Sequence, residues 1–112
     1  MDVYIEGVTT PYQIEQVKSG WHLYMLQLDV EKLKYDRKEI FRRLRKRKIG
    51  VHVHYIPVYW HPYYQKLGYE RGICPKAERW YERALTLPIF PKMTNEDVLD
   101  VIHAVKDVVK PL

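Results

Sequence analysis

Cysteine is nearly absent from this sequence: Cys74 is the single one in 112 residues. One thiol can form no internal disulfide and no cysteine-based zinc site. Long apolar runs are absent too, and nothing approaches the roughly 20 residues that a membrane-spanning helix needs. Residues 1–20 carry Glu6 and Glu15 and no apolar stretch, so they do not read as a signal peptide. There is no glycine-rich phosphate loop, no G-x-S-x-G and no H-E-x-x-H. The chain therefore reads as cytoplasmic and holds no self-sufficient catalytic constellation.

What is present fits one domain. At 112 residues, 46% apolar and 29% charged, the chain is long enough for a modest core. Nineteen Lys and Arg face 14 Asp and Glu, a net charge of +5, which suits an anionic partner such as nucleic acid or a phosphorylated small molecule. The excess is local. Arg42, Arg43, Arg45, Lys46, Arg47 and Lys48 put six cations into seven residues.

Periodicity and punctuation predict the elements. Residues 1–18 read as a tail or interdomain linker, because Gly7, Thr9, Thr10 and Pro11 break every apolar run and Val3, Tyr4 and Ile5 have no partner element. Residues 22–28 form a strand whose continuous apolar character predicts burial on both faces. A helix follows at 37–48, capped by Asp36 with Glu39 completing a capping box, and stopped by Gly50. Residues 51–55 form a second strand, ended by Pro57. Residues 56–74 are a loop rich in Pro, Gly and Tyr, with one helical turn near 62–67. A helix opens at Pro75 and runs to 83, and a third strand spans 85–87. In the last helix, Thr94 caps, Asp97 completes the box, Met93 staples onto Val98, and Val98, Val101, Ile102, Val105, Val108 and Val109 share a face. The fold class is α+β: a small three-stranded sheet covered by helices.

Three features could carry chemistry. His52 and His54 stand two apart in the strand, so both face one side, toward a loop that contains His61. They suit a ligand-facing strand, a metal site or simply the open face of a strand. Tyr55 alternates inward, yet a twist before Pro57 would bring its hydroxyl to the rim. Tyr55, Tyr59, Trp60, Tyr63, Tyr64 and Tyr69 place six of the 15 aromatic residues within 15 positions. They could face a sugar ring or a base, or hold a long loop down. The basic helix could bind phosphates or be a solvated face, with Ile40, Phe41 and Leu44 as its packing stripe.

A larger pattern joins these pieces. Ser19-Gly20-Trp21-His22-Leu23-Tyr24, Gly50-Val51-His52-Val53-His54-Tyr55-Ile56-Pro57-Val58 and His61-Pro62-Tyr63-Tyr64 come first. Gly68-Tyr69, Gly72, Cys74-Pro75, Ala77-Glu78, Leu85-Thr86-Leu87-Pro88-Ile89-Phe90-Pro91 and Met93-Thr94 follow. In order and spacing this resembles the C-terminal small domain of the DegT/DnrJ/StrS family of sugar aminotransferases, and within it the transaminases of pseudaminic-acid and spore-coat polysaccharide synthesis. The resemblance implies residues 19–112 are that domain. It implies a parent protein that uses pyridoxal phosphate to move an amino group from glutamate to a nucleotide-linked keto-sugar, acts as a homodimer, and anchors the cofactor through a lysine of a large domain that this sequence lacks. It further implies that His54, Tyr55, His52 and His61 face the substrate, that this chain alone holds no catalytic or cofactor-binding residue and no metal, and that neither nucleic acid nor membrane is a partner. The alternative is a small basic module that binds nucleic acid or sugar.

Overall fold

In a computed structural model of the chain, residues 5–20 and 22–112 are described; Val3, Tyr4 and Trp21 lie outside them. Three strands, β1 (Val8–Thr9), β2 (Tyr24–Leu28) and β3 (Ala84–Leu87), form an antiparallel sheet in the order β1-β2-β3. Four α-helices accompany it: α1 (Arg37–Lys46), α2 (Pro62–Lys66), α3 (Pro75–Arg83) and α4 (Asn95–Val108). The α+β class and the number of strands stand as the sequence predicts them.

Tyr24, Leu26 and Leu28 of β2 and Leu85 and Leu87 of β3 are buried together with Ile40 and Leu44 of α1 and Val101, Val105 and Val108 of α4. On β2 the intervening Met25 and Gln27 are only half-buried. The strand thus alternates and is not sealed on both faces as expected, because its second face is covered only in part, by α3. Gln27 Nε2 donates there to the Trp80 carbonyl at 3.2 Å.

Two expectations about strands are overturned. Residues 51–55 do not make a strand; His52 alone bridges Thr86. β3 is only four residues long and Pro57 follows closely, so one bridge is as far as pairing extends. The third strand instead comes from the segment read as a tail. Val8 pairs with Leu28 and Thr9 with Gln27, while Ile5 packs against the core. Gly7 makes this possible. It sits at φ +83°, and a Cβ there would stand 2.3 Å from Leu33 Cδ2.

The helix termini follow their caps. Asp36 accepts from the Glu39 N–H at 2.9 Å, but the Glu39 carboxylate turns to Arg42 and Arg43 and leaves the expected box half-made. At α4 the box is complete between Thr94 and Asp97. Helix α1 stops at Lys46, before the predicted end, and Gly50 is not what stops it. Lys48 takes the left-handed conformation at φ 64°. Its N–H reaches the Arg45 carbonyl at 2.9 Å and that of Ile49 reaches Leu44 at 3.0 Å, the two bonds of a Schellman motif.

Candidate functional site

The bridge between His52 and Thr86 builds the site. The His52 N–H donates to the Thr86 carbonyl at 3.0 Å, and the Thr86 N–H donates to the His52 carbonyl at 2.7 Å. Val51 is fully buried on one side of this segment, as expected of a core-facing residue. His52 and His54 lie on the other side, with ring centroids 5.8 Å apart. His54 is half-buried, and its Nδ1 lies 2.9 Å from Thr86 Oγ1. Tyr55 is 69% exposed and stands edge-on to the His54 ring at 4.5 Å. It does not turn inward, because regular alternation ends with the bridge at His52. His52, His54 and Tyr55 are thus brought together at the outer edge of β3. His61 is not part of the group: it is the exposed N-cap of α2, and among the described residues no ring contact includes it.

Two partners escaped the sequence reading. Arg45 donates through Nε and Nη2 to the Val51 carbonyl at 3.1 and 2.7 Å, and its Nη2 also lies 3.5 Å from His52 Nδ1. Thr86 is the other. A lone hydroxyl between Leu85 and Leu87 in a buried strand was the signal available, since a buried hydroxyl needs a partner.

Most of the aromatic loop holds itself in place. The Tyr59 hydroxyl donates to Glu78, whose Oε2 also accepts from the Gly72 N–H at 2.6 Å. Burial pushes the Tyr59 phenol up and the neighbouring Glu78 adds to this; the same hydrogen bond, before any other cause, lowers Glu78. Trp60 meets the Tyr81 ring edge at 5.6 Å, with the Arg71 guanidinium 4.0 Å from its ring. Tyr63, Tyr64 and Tyr69 form a chain of edge contacts. The basic run is likewise engaged. Arg42 and Arg43 meet Glu39, Arg47 meets Asp107 at 2.9 Å, and Arg43 lies over the Tyr35 ring at 3.9 Å. Among the described residues no group of three or more His, Cys, Asp or Glu is placed to hold a metal, and no helix is long and apolar enough to cross a membrane.

Residues 3–106 match the model of the DegT/DnrJ/EryC1/StrS aminotransferase family. The chain belongs to this family. It is 45% identical over 108 residues to the spore coat polysaccharide biosynthesis protein SpsC of Bacillus subtilis, an alignment covering 95% of this chain and 28% of SpsC. Among solved structures it is similar to the putative sugar aminotransferase Spr1654 of Streptococcus pneumoniae, with a TM-score of 0.80 and 31% identity over 91% of this chain and 26% of that one. It is similar also to PseC of Helicobacter pylori, an aminotransferase of pseudoaminic acid biosynthesis, with a TM-score of 0.66 and 28% identity over 78% and 23% of the two chains. The chain thus spans about a quarter of the length of the relatives it matches.

Proposed function

We propose that this chain is the small, substrate-facing domain of an aminotransferase that passes an amino group from glutamate to a nucleotide-linked keto-sugar, in the cytoplasm, for surface polysaccharide. Family membership and the likeness to SpsC support the reaction and its setting. The observation that carries the local role is the group of His52, His54 and Tyr55 at the outer edge of β3, with His52 and Tyr55 exposed and His54 half-buried. Two imidazoles and a phenol offer donors to the oxygens of a sugar or diphosphate. His61, on the same loop, belongs to this proposal as a more distant contact. The nucleic-acid alternative loses ground because four of the six clustered cations already have partners within the chain.

Pyridoxal phosphate, when bound, supplies the electron sink for amino transfer. The residues described here do not fit it. All eleven lysines are exposed. Lys38 and Lys48 line only open surface grooves, and the more enclosed cleft among Leu87, Phe90, Met93 and Val101, of about 120 Å³, is small and apolar. Neither a lysine nor a phosphate cradle faces such a space. In this reading the cofactor and its lysine belong to a separate large domain, and the assembled enzyme is a homodimer.

The test is a chimera in which this chain replaces the segment of SpsC to which it aligns. In that enzyme His54→Ala should raise KM for the nucleotide-sugar about tenfold, the loss of one hydrogen bond to a charged group. The half-reaction with glutamate should stay unchanged, because it does not use the sugar. Equal damage to both half-reactions would show His54 to be a support for fold or cofactor.

A further inference from the structure

Thr86 is 3% exposed, the one buried polar residue among those described. It faces Met25 across the sheet, while its own N–H and C=O both point the other way, to His52. Such outward-directed amides belong to the non-hydrogen-bonded positions of an antiparallel pair. Its side chain leaves on the face opposite Leu85 and Leu87 and places Oγ1 2.9 Å from His54 Nδ1. One residue therefore grips the histidine segment with three polar atoms, two on the backbone of His52 and one on the ring of His54.

The ring contact has a chemical consequence. A neutral imidazole carries one donor nitrogen and one acceptor, and a hydrogen bond at one of them fixes the role of the other. Among the described residues no partner occupies His54 Nε2. His52 repeats the arrangement: its Nδ1 lies beside Arg45 Nη2, and a guanidinium can only donate. A hydrogen bond across that 3.5 Å contact would make the inner nitrogen of His52 the acceptor and leave the proton on its outer one.

The geometry points to Thr86 as the positioning residue for His54: its hydroxyl donates to Nδ1 and holds the imidazole in the form that presents Nε2–H to an acceptor oxygen of the ligand. This rests on the reading of His54 as a ligand contact. Two histidines with their inner nitrogens occupied form a pair of outward donors, suited to an acceptor-rich ligand such as a sugar diphosphate.

Long-range proton–nitrogen spectra of the ¹⁵N-labelled 112-residue chain, at a pH of about 8 where histidine is neutral, read the form of each ring directly. His54 should be protonated at Nε2 alone. Thr86→Val keeps the shape and the backbone bonds and removes only the hydroxyl; it should give a mixture of the two neutral forms. Thr86→Ser should restore the single form, which a loss of packing alone would not do. Titration with UDP-glucose should move the His54 signals, and Thr86→Val should weaken this binding about fivefold, as expected for one hydrogen bond. A single Nδ1–H form, in which the hydroxyl would accept and not donate, a mixture of forms in the native chain, or a single Nε2–H form that survives in folded Thr86→Val overturns the inference. If Thr86→Val does not fold, Thr86→Ala, which also lacks the hydroxyl, is read in its place, and a single Nε2–H form in it overturns the inference equally. If the native ring is fixed as expected but UDP-glucose leaves it unmoved, the positioning role stands and the ligand reading fails.

Discussion

Glu39 accepts from Arg42 at 2.9 and 2.6 Å and from Arg43 at 2.9 Å. The hydrogen bond from Arg42 above all, joined by Arg43, holds its carboxyl at about 2, against an ordinary 4.5. Folding therefore favours the charged form. The stabilisation is complete above pH 4.5, where the unfolded chain is also ionised, and it fades as pH falls toward about 2. Thermal unfolding should show Glu39→Gln melting slightly below the native chain at pH 7 and together with it near pH 2. The gap is small because the site is exposed and screened. A constant gap across that range would mean that Glu39 acts through its cap position and not its charge. At this scale the sequence was legible where neighbours in the chain decide the partner, as with Asp36 on the Glu39 N–H. It was silent where a partner lies far away in sequence. Thr86 reaches His54 across 32 positions and Tyr59 reaches Glu78 across 19, and no local pattern marks either pair.

Among the elements, α4 was the most legible, since its cap, its box and its buried stripe are all local. Residues 51–55 were the least. Alternating valines fit a strand, but a strand exists only where a neighbour offers a matching edge, and β3 has room for a single bridge there. The converse holds at β1, where two residues of weak pattern became a strand because the edge of β2 lay open and Gly7 allowed the approach. The end of α1 falls between these cases. A stop near Gly50 was readable, but the left-handed residue is Lys48. A side chain in that conformation costs roughly 1 kcal/mol, which glycine does not incur. Lys48→Gly should thus raise the unfolding free energy by about 1 kcal/mol in urea titration, with an unchanged slope. A loss of stability would show that Lys48 makes a contact worth more than its backbone strain.

At the scale of the molecule, the chain is looser than its length suggests. Its radius of gyration is 15.6 Å, against about 13 Å for a compact domain of this size. Tyr55, Val58, Tyr63, Leu67, Tyr69 and Ile73 remain exposed, most of them on the loop that leaves the sheet after His54. This half-covered shape matches a chain that spans about a quarter of its relatives' length. It bears on what the chain can do alone. Amino transfer needs a lysine held where it can bond the cofactor and exchange a proton, which means a lysine in a shaped and partly dry site. Here every lysine is exposed to water, and Arg71 and Arg45 spend their charge on Trp60 and the Val51 carbonyl. Mixed with pyridoxal phosphate and then reduced with borohydride, the 112-residue chain should give only scattered, substoichiometric labelling spread over several surface lysines. No turnover of glutamate should accompany it. Peptide mapping that found one lysine labelled stoichiometrically, together with release of 2-oxoglutarate, would show that this chain carries a cofactor site of its own.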